Sequence, residues 1–314
     1  MSARLRKNRT HLNAERIAES LAEYATTRPA KEAARQVILQ GDALSVLQRL
    51  PDRCVDLVVT SPPYADRRKA TYGGIHPDKY VEWFMARVVQ IKRVLKRQGS
   101  FVLNIKEKTY NGERHTYVID LILAMKESGW LWTEEYVWHK KNCYPGKWPN
   151  RFRDAWERCL HFNQEKRFKM FQEEVMVPVG DWAEKRLARL STTDKTRDES
   201  RSQSGFGKNV SQWVGRDRVY PTNVLHFATE CGNKNHSAAF PVALPEWFIR
   251  LFTKKGDLVV DPFVGSGTTA VACQQLNRRC IGIDISREYC ELALERLHDN
   301  GGNTLWDAVH KVEI

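Results

Sequence analysis

Short apolar runs alternate along this 314-residue chain with stretches whose apolar positions recur every three or four residues. Asp56-Leu57-Val58-Val59 and Asp257-Leu258-Val259-Val260 each have the composition of a buried parallel strand. Further strands are predicted over residues 36–39, 101–105, 134–138 and 280–284. Helical spacing predicts helices over residues 77–96, 118–128, 245–253 and 287–297. Gly99 is expected to end the helix over residues 77–96. Such alternation of strand and helix is typical of a doubly wound α/β sheet.

The amino-terminal 35 residues fall outside this alternation. They are basic, rich in alanine and helix-prone, with Ile17, Leu21 and Tyr24 at helical spacing and Asn13 as a candidate cap. We expect a helix that packs on the domain, the ordinary role of such a pattern, or on DNA.

A second region between residues 164 and 221 also breaks the pattern. Its stretch from Ser191 to Asn209 is rich in Ser, Thr, Lys, Arg and Gly, and Phe206 is its only apolar side chain. Such a stretch cannot bury a core of its own. It serves either for contacts with a partner or as a solvated surface insertion.

Composition narrows the class of protein. A hydrophobic content of 42% fills the core of one large α/β domain with a smaller added part. The formal net charge of +12 suggests a polyanionic partner, because Lys and Arg that neutralise phosphates release counterions. No apolar run has the length of a membrane span and no signal-peptide core begins the chain, so we expect a soluble, cytoplasmic protein without a membrane partner.

The cysteines and histidines argue against a metal site. Seven cysteines are scattered and never spaced as Cys-x-x-Cys, which favours reduced thiols. None of them follows a proline, so the Pro-Cys nucleophile of ring-carbon cytosine methyltransferases is missing. His139, His161, His226 and His236 lack metal-ligand spacing, and core or surface roles are expected for them.

Each of the two apolar runs named first ends in a polar corner. The first leads into Thr60-Ser61-Pro62-Pro63-Tyr64, and the second into Asp261-Pro262-Phe263-Val264-Gly265-Ser266-Gly267-Thr268-Thr269. In an open α/β sheet, ligands bind at the carboxyl ends of the strands. We therefore expect the two corners to converge on one crevice, with a cofactor at one and a reacting group at the other.

Together the two corners resemble the amino-methyltransferases of DNA, which move a methyl group from S-adenosylmethionine to the exocyclic nitrogen of cytosine or adenine. The catalytic tetrapeptide of that family is Ser, Asp or Asn followed by Pro-Pro and an aromatic residue, and many members share the cofactor loop found here. The catalytic segment comes first, as in the circularly permuted subgroup called β. The resemblance spans residues 37–165 and 222–297 and implies a doubly wound, mainly parallel sheet of the S-adenosylmethionine-dependent type.

The resemblance also implies an organisation of the chain. We expect a basic helical arm, a catalytic half, an inserted target-recognition region, a cofactor-binding half and a C-terminal tail, over residues 1–35, 36–163, 164–221, 222–298 and 299–314.

The first corner suits the chemistry of an amino group. That nitrogen is a poor nucleophile because its lone pair is delocalised into the ring. Acceptors aimed at its two N–H bonds favour a pyramidal nitrogen, and Ser61 Oγ and the carbonyl of Pro62 are the candidates. Pro63 makes the corner rigid, and Tyr64 is expected to stack on a base flipped out of the duplex.

The second corner suits a cofactor. Gly265 and Gly267 let the backbone approach closely, and Asp261 offers a carboxylate to the methionine amino group, as the resemblance implies. Asp284 follows Gly265 by nineteen positions and is placed for ribose hydroxyls. The remaining candidates are Ser266, Thr268, Phe263, as core packing or adenine contact, and Asp42, for the adenine amino group. The product is S-adenosylhomocysteine, and no metal is expected.

Basic residues are the candidates for DNA contacts. They lie in the loop after the first corner and in the insertion: Arg67, Arg68, Lys69, Lys185, Arg186, Arg189, Arg197 and Arg201. The partner is double-stranded DNA, with a companion restriction endonuclease and a nucleoid location as further expectations.

Ser61 favours cytosine N4 as the target, because the adenine enzymes of the family mostly carry Asp or Asn there. The alternatives are adenine N6, or a nucleic-acid-binding protein whose methyltransferase fold has lost activity. Intact Ser61, Asp261 and Gly267 argue against the inactive protein.

Overall fold

The protein was analysed as a computed structural model, and the structure describes residues 14–27, 35–67, 69–143, 150–180, 189, 191, 215–229, 240–301, 304 and 309–312. The chain divides into two compact units. The first unit comprises Met1–Met170 and Asn223–Ile314, and the second comprises Phe171–Thr222. The sequence analysis places the insertion at residues 164–221.

A nine-stranded sheet forms the centre of the first unit. Its strands are β1 (Gln36–Gln40), β2 (Val55–Thr60), β3 (Leu95–Ile105), β6 (Leu131–Lys140), β7 (Trp156–Asn163), β10 (Val224–Phe227), β11 (Leu258–Asp261), β12 (Arg279–Asp284) and β13 (His310–Lys311). The order across the sheet is β10-β6-β7-β3-β2-β11-β12-β1-β13. β7 is antiparallel to both neighbours, and the remaining pairs are parallel. The predicted doubly wound, mainly parallel sheet is confirmed.

Helices flank this sheet. They are α1 (Ala14–Thr26), α2 (Ala43–Arg49), α3 (Lys69–Tyr72), α4 (Pro77–Val94), α5 (Tyr117–Glu127), α6 (Ala243–Phe252), α7 (Thr268–Gln275) and α8 (Arg287–Asp299). α4 shows why they form: His76 caps its first turn, Pro77 begins it, and apolar positions such as Tyr80 and Phe84 are fully buried in the core. A short hairpin of β4 (Thr109–Tyr110) and β5 (Glu113–Arg114) follows β3.

The segment after α4 differs from its prediction. The helix ends at Val94 rather than at Lys96, and β3 begins at once with Leu95. Gly99 does not end a helix; it lies in β3, where the register against β2 shifts. A β-carbon on Gly99 would lie 2.9 Å from the carbonyl of Asp56, so the close approach of two strands requires glycine there.

The predicted amino-terminal helix is confirmed as α1, and it packs on the first unit. Ile17 and Leu21 are buried in its core. The phenol of Tyr24 donates to the carbonyl of Arg35 at 2.5 Å. The guanidinium of Arg279 donates to carbonyls at the end of the helix. Asn13, the predicted cap, lies outside the described residues.

The second unit is described in part. A 3₁₀ turn at Gln172–Val175 leads into β8 (Val177–Pro178), which pairs antiparallel with β9 (Arg218–Val219). The phenol of Tyr220 donates to Glu173 at 3.0 Å. The stretch from Ser191 to Asn209, apart from Ser191 itself, lies outside the described residues.

The position of β11 decides where ligands can bind. It lies between β2 on one side and β12 on the other, although it is a late strand in the chain. The carboxyl ends of all three strands open on the same edge of the sheet. Over the described residues, no helix combines the length and the apolar content that crossing a bilayer requires.

Candidate active site

The first polar corner stands at the carboxyl end of β2. Ser61 and Tyr64 are half-buried, whereas Pro62 and Pro63 are buried. The phenol of Tyr80, on α4, donates a hydrogen bond to the carbonyl of Pro63 at 3.2 Å. Two consecutive proline rings and this bond restrict the turn, so the side chains on either side of it have defined positions.

A chain of hydrogen bonds leads from Ser61 into the sheet. Its hydroxyl donates to Tyr64 Oη at 3.4 Å, and the Tyr64 phenol donates to Glu157 Oε2 at 2.6 Å. The other carboxylate oxygen of Glu157 accepts from Lys140 Nζ at 2.5 Å. Burial, together with the charge of Glu157, raises the pKa of Tyr64 well above its ordinary value. The phenol therefore keeps its proton.

The cofactor loop begins with a carboxylate surrounded by hydrogen-bond donors. Asp261 is 1% exposed; Oδ1 accepts from Thr60 Oγ1 at 2.5 Å and from the Phe263 amide at 3.0 Å. Oδ2 accepts from Thr269 Oγ1 at 2.6 Å. Burial raises the pKa of Asp261 to about 6, although these hydrogen bonds act in the opposite direction. A buried carboxylate of this kind favours a positively charged group beside it.

The bond between Thr60 and Asp261 joins the two corners across 201 positions of the chain. β2 and β11 are adjacent, with Val58 opposite Val260. The first corner and the cofactor loop therefore open side by side, as the sequence analysis expects.

α8 supports the cofactor loop from behind. Gly267, with φ of 85°, precedes α7, and a β-carbon there would lie 2.7 Å from Cβ of Ala293. The close approach that this glycine permits is thus between the loop and α8. Arg296 donates to Ser266 Oγ at 3.0 Å and to Thr268 Oγ1 at 3.2 Å. Both of these side chains are buried.

Asp284, at the end of β12, ties the loop to the next strand. It is 2% exposed and accepts from the Gly265 amide at 3.0 Å and the Ser286 amide at 2.8 Å. The φ of Gly265 is 52°, in the left-handed region. The phenol of Tyr72, on α3, donates to the two Asp284 oxygens at 3.0 and 3.3 Å. The Tyr72 hydroxyl thus makes the same kind of hydrogen bond to Asp284 that is predicted for a ribose hydroxyl.

Two further cofactor candidates lie beside the same edge. Asp42 caps α2 and accepts from Arg87 at 2.7 Å, so both of its oxygens have protein partners. The guanidinium of Arg87 lies 4.2 Å from the ring centroid of Trp83. Phe263 is partly buried and packs against this Trp83 ring at 5.7 Å between centroids and against Phe84, and its contact with adenine stays a prediction.

The basic candidates are described in part. Arg67 is exposed directly after the first corner, and Lys69 begins α3. Arg189 is exposed. Arg68, Lys185, Arg186, Arg197 and Arg201 lie outside the described residues. Contacts of these residues with DNA stay predictions.

His139 is half-buried and His226 is exposed, which fits the predicted surface role, and His236 lies outside the described residues. His139 and His226 face each other across β6 and β10, with their Nδ1 atoms 3.1 Å apart. Across the described ranges, no cluster of three or more His, Cys, Asp or Glu side chains is arranged to hold a metal ion. His161 has the predicted core role: it is buried, Nε2 bonds to Ser100 Oγ at 3.0 Å, and burial lowers its pKa to about 3.

Sequence reasoning missed the residues that support the two corners, namely Asn104, Lys140, Glu157, Tyr72 and Arg296. Glu157 lies on β7, a strand that the sequence analysis does not predict. The signal that marks it is weak, because one buried face of β7 carries Glu157, Cys159, His161 and Asn163, and only Leu160 and Phe162 on the other face are buried and strongly apolar. Only the packing of β7 between β3 and β6 makes the polar face internal.

Comparison with known proteins gives concordant matches. The N6_N4_Mtase family model, described as DNA methylase, matches residues 55–295. The type II methyltransferase M.PvuII of Proteus hauseri is 31% identical over 296 residues, which cover 87% of each chain. The type II methyltransferase M.Cfr9I of Citrobacter freundii is 29% identical over 304 residues, covering 85% of this chain and 89% of that protein.

Solved structures share the fold. The PvuII DNA methyltransferase (cytosine-N4-specific) superposes with a TM-score of 0.62 at 24% identity, over 90% of this chain and 99% of the other. The M1.HpyAVI–SAM complex gives a TM-score of 0.53 at 23% identity, over 83% of this chain and all of the other, a coverage of 100%.

Proposed function

The chain belongs to the N6/N4 family of DNA methylases, and we propose that it transfers a methyl group from S-adenosylmethionine to the exocyclic N4 of cytosine in double-stranded DNA. The hydrogen bond between Thr60 and Asp261 is the observation that carries this proposal. It sets the corner proposed for the base against the loop proposed for the cofactor. Holding two reactants side by side in a fixed orientation supplies much of the acceleration of a group transfer.

The acidic residues of the second corner fit S-adenosylmethionine. That cofactor carries an ammonium group and ribose hydroxyls, and it supplies an activated methyl group when bound. Asp261, which is buried and forms no ion pair with a described residue, would face the ammonium group. Asp284 would accept hydrogen bonds from the ribose, a role supported by the Tyr72 hydroxyl that bonds to it. The loop around the cofactor would consist of Gly265, Ser266, Gly267 and Thr268. Phe263 and Asp42 would lie beside the cofactor.

The first corner would prepare the amino group. Ser61 Oγ and the carbonyl of Pro62 would accept hydrogen bonds from its two N–H groups. These bonds favour a pyramidal nitrogen whose lone pair is available. Pro63 fixes the turn, and the half-buried ring of Tyr64 would stack on the flipped base. No covalent bond between protein and base is needed in this scheme.

Cytosine rather than adenine is favoured by two observations. Position 61 is Ser rather than Asp or Asn, and the PvuII DNA methyltransferase, which shares the fold, is cytosine-N4-specific. An identity near 30% leaves the base itself to be measured. Mass spectrometry of digested DNA, after incubation with the protein and labelled cofactor, is expected to show N4-methylcytosine. N6-methyladenine as the sole product would overturn the base assignment and leave the methylase activity intact.

We further propose that basic residues hold the DNA. Arg67 beside the first corner and Arg189 in the second unit are exposed, and Arg68, Lys69, Lys185, Arg186, Arg197 and Arg201 complete the set. Deletion of residues 191–209 should abolish sequence preference while cofactor binding persists. Unchanged preference would move recognition to another part of the chain. A companion endonuclease and a site of action on cytoplasmic, nucleoid DNA accord with the type II relatives.

A further inference from the structure

The hydrogen bonds at the first corner have a direction. Ser61 donates to Tyr64, and Tyr64 donates to Glu157, so each hydroxyl proton is turned away from the crevice and into the protein. A hydroxyl group has one proton and two lone pairs. A serine whose proton points inward presents only lone pairs outward.

The groups around the Tyr64 phenol fix this direction. Glu157 is an acceptor there, because its carboxylate is held by the ammonium of Lys140 at 2.5 Å. Asn104 also presents an acceptor, its Oδ1, at 3.3 Å from the phenol, since its Nδ2 is committed to the carbonyl of Arg158 at 3.2 Å. Because Glu157 and Asn104 both present acceptors, the Tyr64 phenol donates its proton toward them and away from Ser61. The phenol oxygen is then left to accept from Ser61.

This direction matters for an amino group. Cytosine N4 carries two N–H donors, and a serine hydroxyl that offered its own proton would repel them or bind the lone pair that must attack. Ser61 assists only as an acceptor.

We propose that Glu157 is a positioning residue that, through Tyr64, orients the Ser61 hydroxyl as a hydrogen-bond acceptor toward the target base. The inference rests on the proposed function, because it assigns Ser61 the amino group. Glu157 itself does not touch the substrate.

Lys140 has a supporting role in the same arrangement. The Glu157 and Lys140 side chains are 9% and 19% exposed, so the carboxylate is enclosed and its charge needs a partner. The ammonium lies 5.0 Å from the ring centroid of Trp138, which limits its freedom. The pair holds one carboxylate oxygen and leaves the other for Tyr64.

A neighbouring ion pair provides the matched control. Arg158 and Glu135 also join β7 to β6, with the guanidinium 2.8 Å from the carboxylate. Glu135 has no hydrogen bond to Ser61 or Tyr64 in the described structure. Neutralising Glu135 therefore tests the loss of an ion pair between the same strands without touching the directed chain.

The experiment compares Glu157→Gln with Glu135→Gln. In the first variant the amide oxygen stays with Lys140, since an ammonium only donates, and the amide NH₂ turns toward Tyr64. The inner end of the chain becomes a donor. We expect kcat at saturating cofactor and DNA to fall about ten- to a hundredfold, with Asn104 as the remaining acceptor limiting the loss. Cofactor Kd and melting temperature should stay near the wild-type values, and Glu135→Gln should keep its kcat within about twofold.

Tyr64→Phe keeps the ring and cuts the chain, so it tests the inference even if Glu157→Gln fails to fold. It should lower kcat at least as much while the fluorescence of 2-aminopurine at the target position still reports a flipped base. Adding Glu157→Gln to Tyr64→Phe should cause little further loss, because both changes act on one chain. Additive losses would mean that Glu157 acts by another route.

The outcomes separate the inference from the proposed function. An active wild-type protein whose Glu157→Gln variant retains its kcat overturns the inference alone. A wild-type protein that methylates no DNA overturns the proposed function, and the inference with it. A loss of kcat in Glu135→Gln equal to that in Glu157→Gln would reduce both pairs to structural supports of the sheet.

Discussion

The two corners of the candidate site are built in different ways. Apart from the bond from Thr60, the cofactor loop is held by its own residues and by the segment that follows it: Thr269 and Phe263 donate to Asp261, and Arg296 donates to Ser266. The first corner depends on distant strands, since Tyr64 bonds to Glu157, which is 93 positions away. Among the described side chains, the cofactor loop thus has one distant hydrogen-bond partner, Thr60, whereas the first corner ends its hydrogen bonds on a distant strand.

This difference decides which corner can be recognised from its sequence and which can have its chemistry adjusted by distant residues. A loop whose hydrogen-bond partners come mostly from itself and from the next segment of the chain can keep its shape in many proteins, which is why its sequence is easy to recognise. A corner whose last hydrogen bonds come from other strands can have its chemistry adjusted by changes far away in sequence. Changes at one corner at a time should therefore affect turnover and cofactor binding separately.

The largest effect is expected at the first corner. Ser61→Ala removes one acceptor for the amino group and should lower turnover about ten- to a thousandfold. Cofactor affinity should change little, because no hydrogen bond of the described structure joins Ser61 to the cofactor loop. Steady-state kinetics together with calorimetric cofactor titration measure both quantities. Weakened cofactor binding with unchanged turnover at saturation would show that the roles of the corners are reversed.

Asp284→Ala should have the converse effect at the second corner. Loss of an acceptor for ribose hydroxyls, and of the bond to the Gly265 amide, should weaken cofactor binding by about 1–3 kcal/mol. Turnover at saturating cofactor should stay within about threefold of wild type. Steady-state kinetics and calorimetric cofactor titration test this prediction, with Ser61→Ala as the opposing control. An Asp284→Ala variant that binds the cofactor normally but turns over slowly would contradict the cofactor-binding role of Asp284.

Protonation of Asp261 offers a test without mutation. Its pKa, raised by burial to about 6, means that the carboxylate is charged at pH 8 and neutral at pH 5. Cofactor affinity should therefore fall as pH decreases through about 6. Without cofactor the trend is opposite: the folded protein binds the proton more tightly, so the free energy of unfolding should fall as pH rises from about 4 to 6, by up to about 3 kcal/mol.

Calorimetric titrations and chemical denaturation across this pH range check both trends. Asp261→Asn should flatten each of them. Cofactor affinity that is independent of pH between 5 and 8 in the wild-type protein would remove Asp261 from the ammonium site.

The smallest effect is expected from Tyr72→Phe. The Tyr72 hydroxyl bonds to Asp284, where the proposed ribose contact would displace it. Removing the hydroxyl should tighten cofactor binding by about 0.5–1.5 kcal/mol, the net value of one hydrogen bond. Tyr289→Phe serves as the control, because it removes a hydroxyl group from the ring that lies beside Tyr72. Weaker binding in Tyr72→Phe would mean that the phenol contacts the cofactor instead of giving way to it.

Sequence predicted the parts of the molecule whose physics is local. The β-branched runs that form β2 and β11 are buried throughout, so their composition alone identifies them. The two motifs identified the family and the S-adenosylmethionine-dependent fold, both of which are confirmed. Gly267 could be recognised as special, but not that Ala293 is the neighbour that requires it.

The parts that escaped prediction depend on pairing between distant strands. The apolar alternation of β7 is limited to Leu160 and Phe162, because its other buried face carries polar side chains that find partners only across the sheet, such as Asn163 with Ser100. Glu157 has no sequence context that distinguishes a buried carboxylate from an exposed one. The pair of His139 and His226 likewise exists only through the register of β6 and β10.

The contact between Thr60 and Asp261 also has a consequence for how the molecule is made. β2 leaves the ribosome some two hundred residues before its neighbour β11, and the 201 positions between the two side chains must be synthesised before they can meet. Closing so long a loop delays folding, because chain entropy is lost before the central strands can pair. An incomplete chain would therefore have the corner proposed for the base but not the loop proposed for the methyl donor. The order of segments in this protein thus makes its chemistry one of the last properties to appear during synthesis.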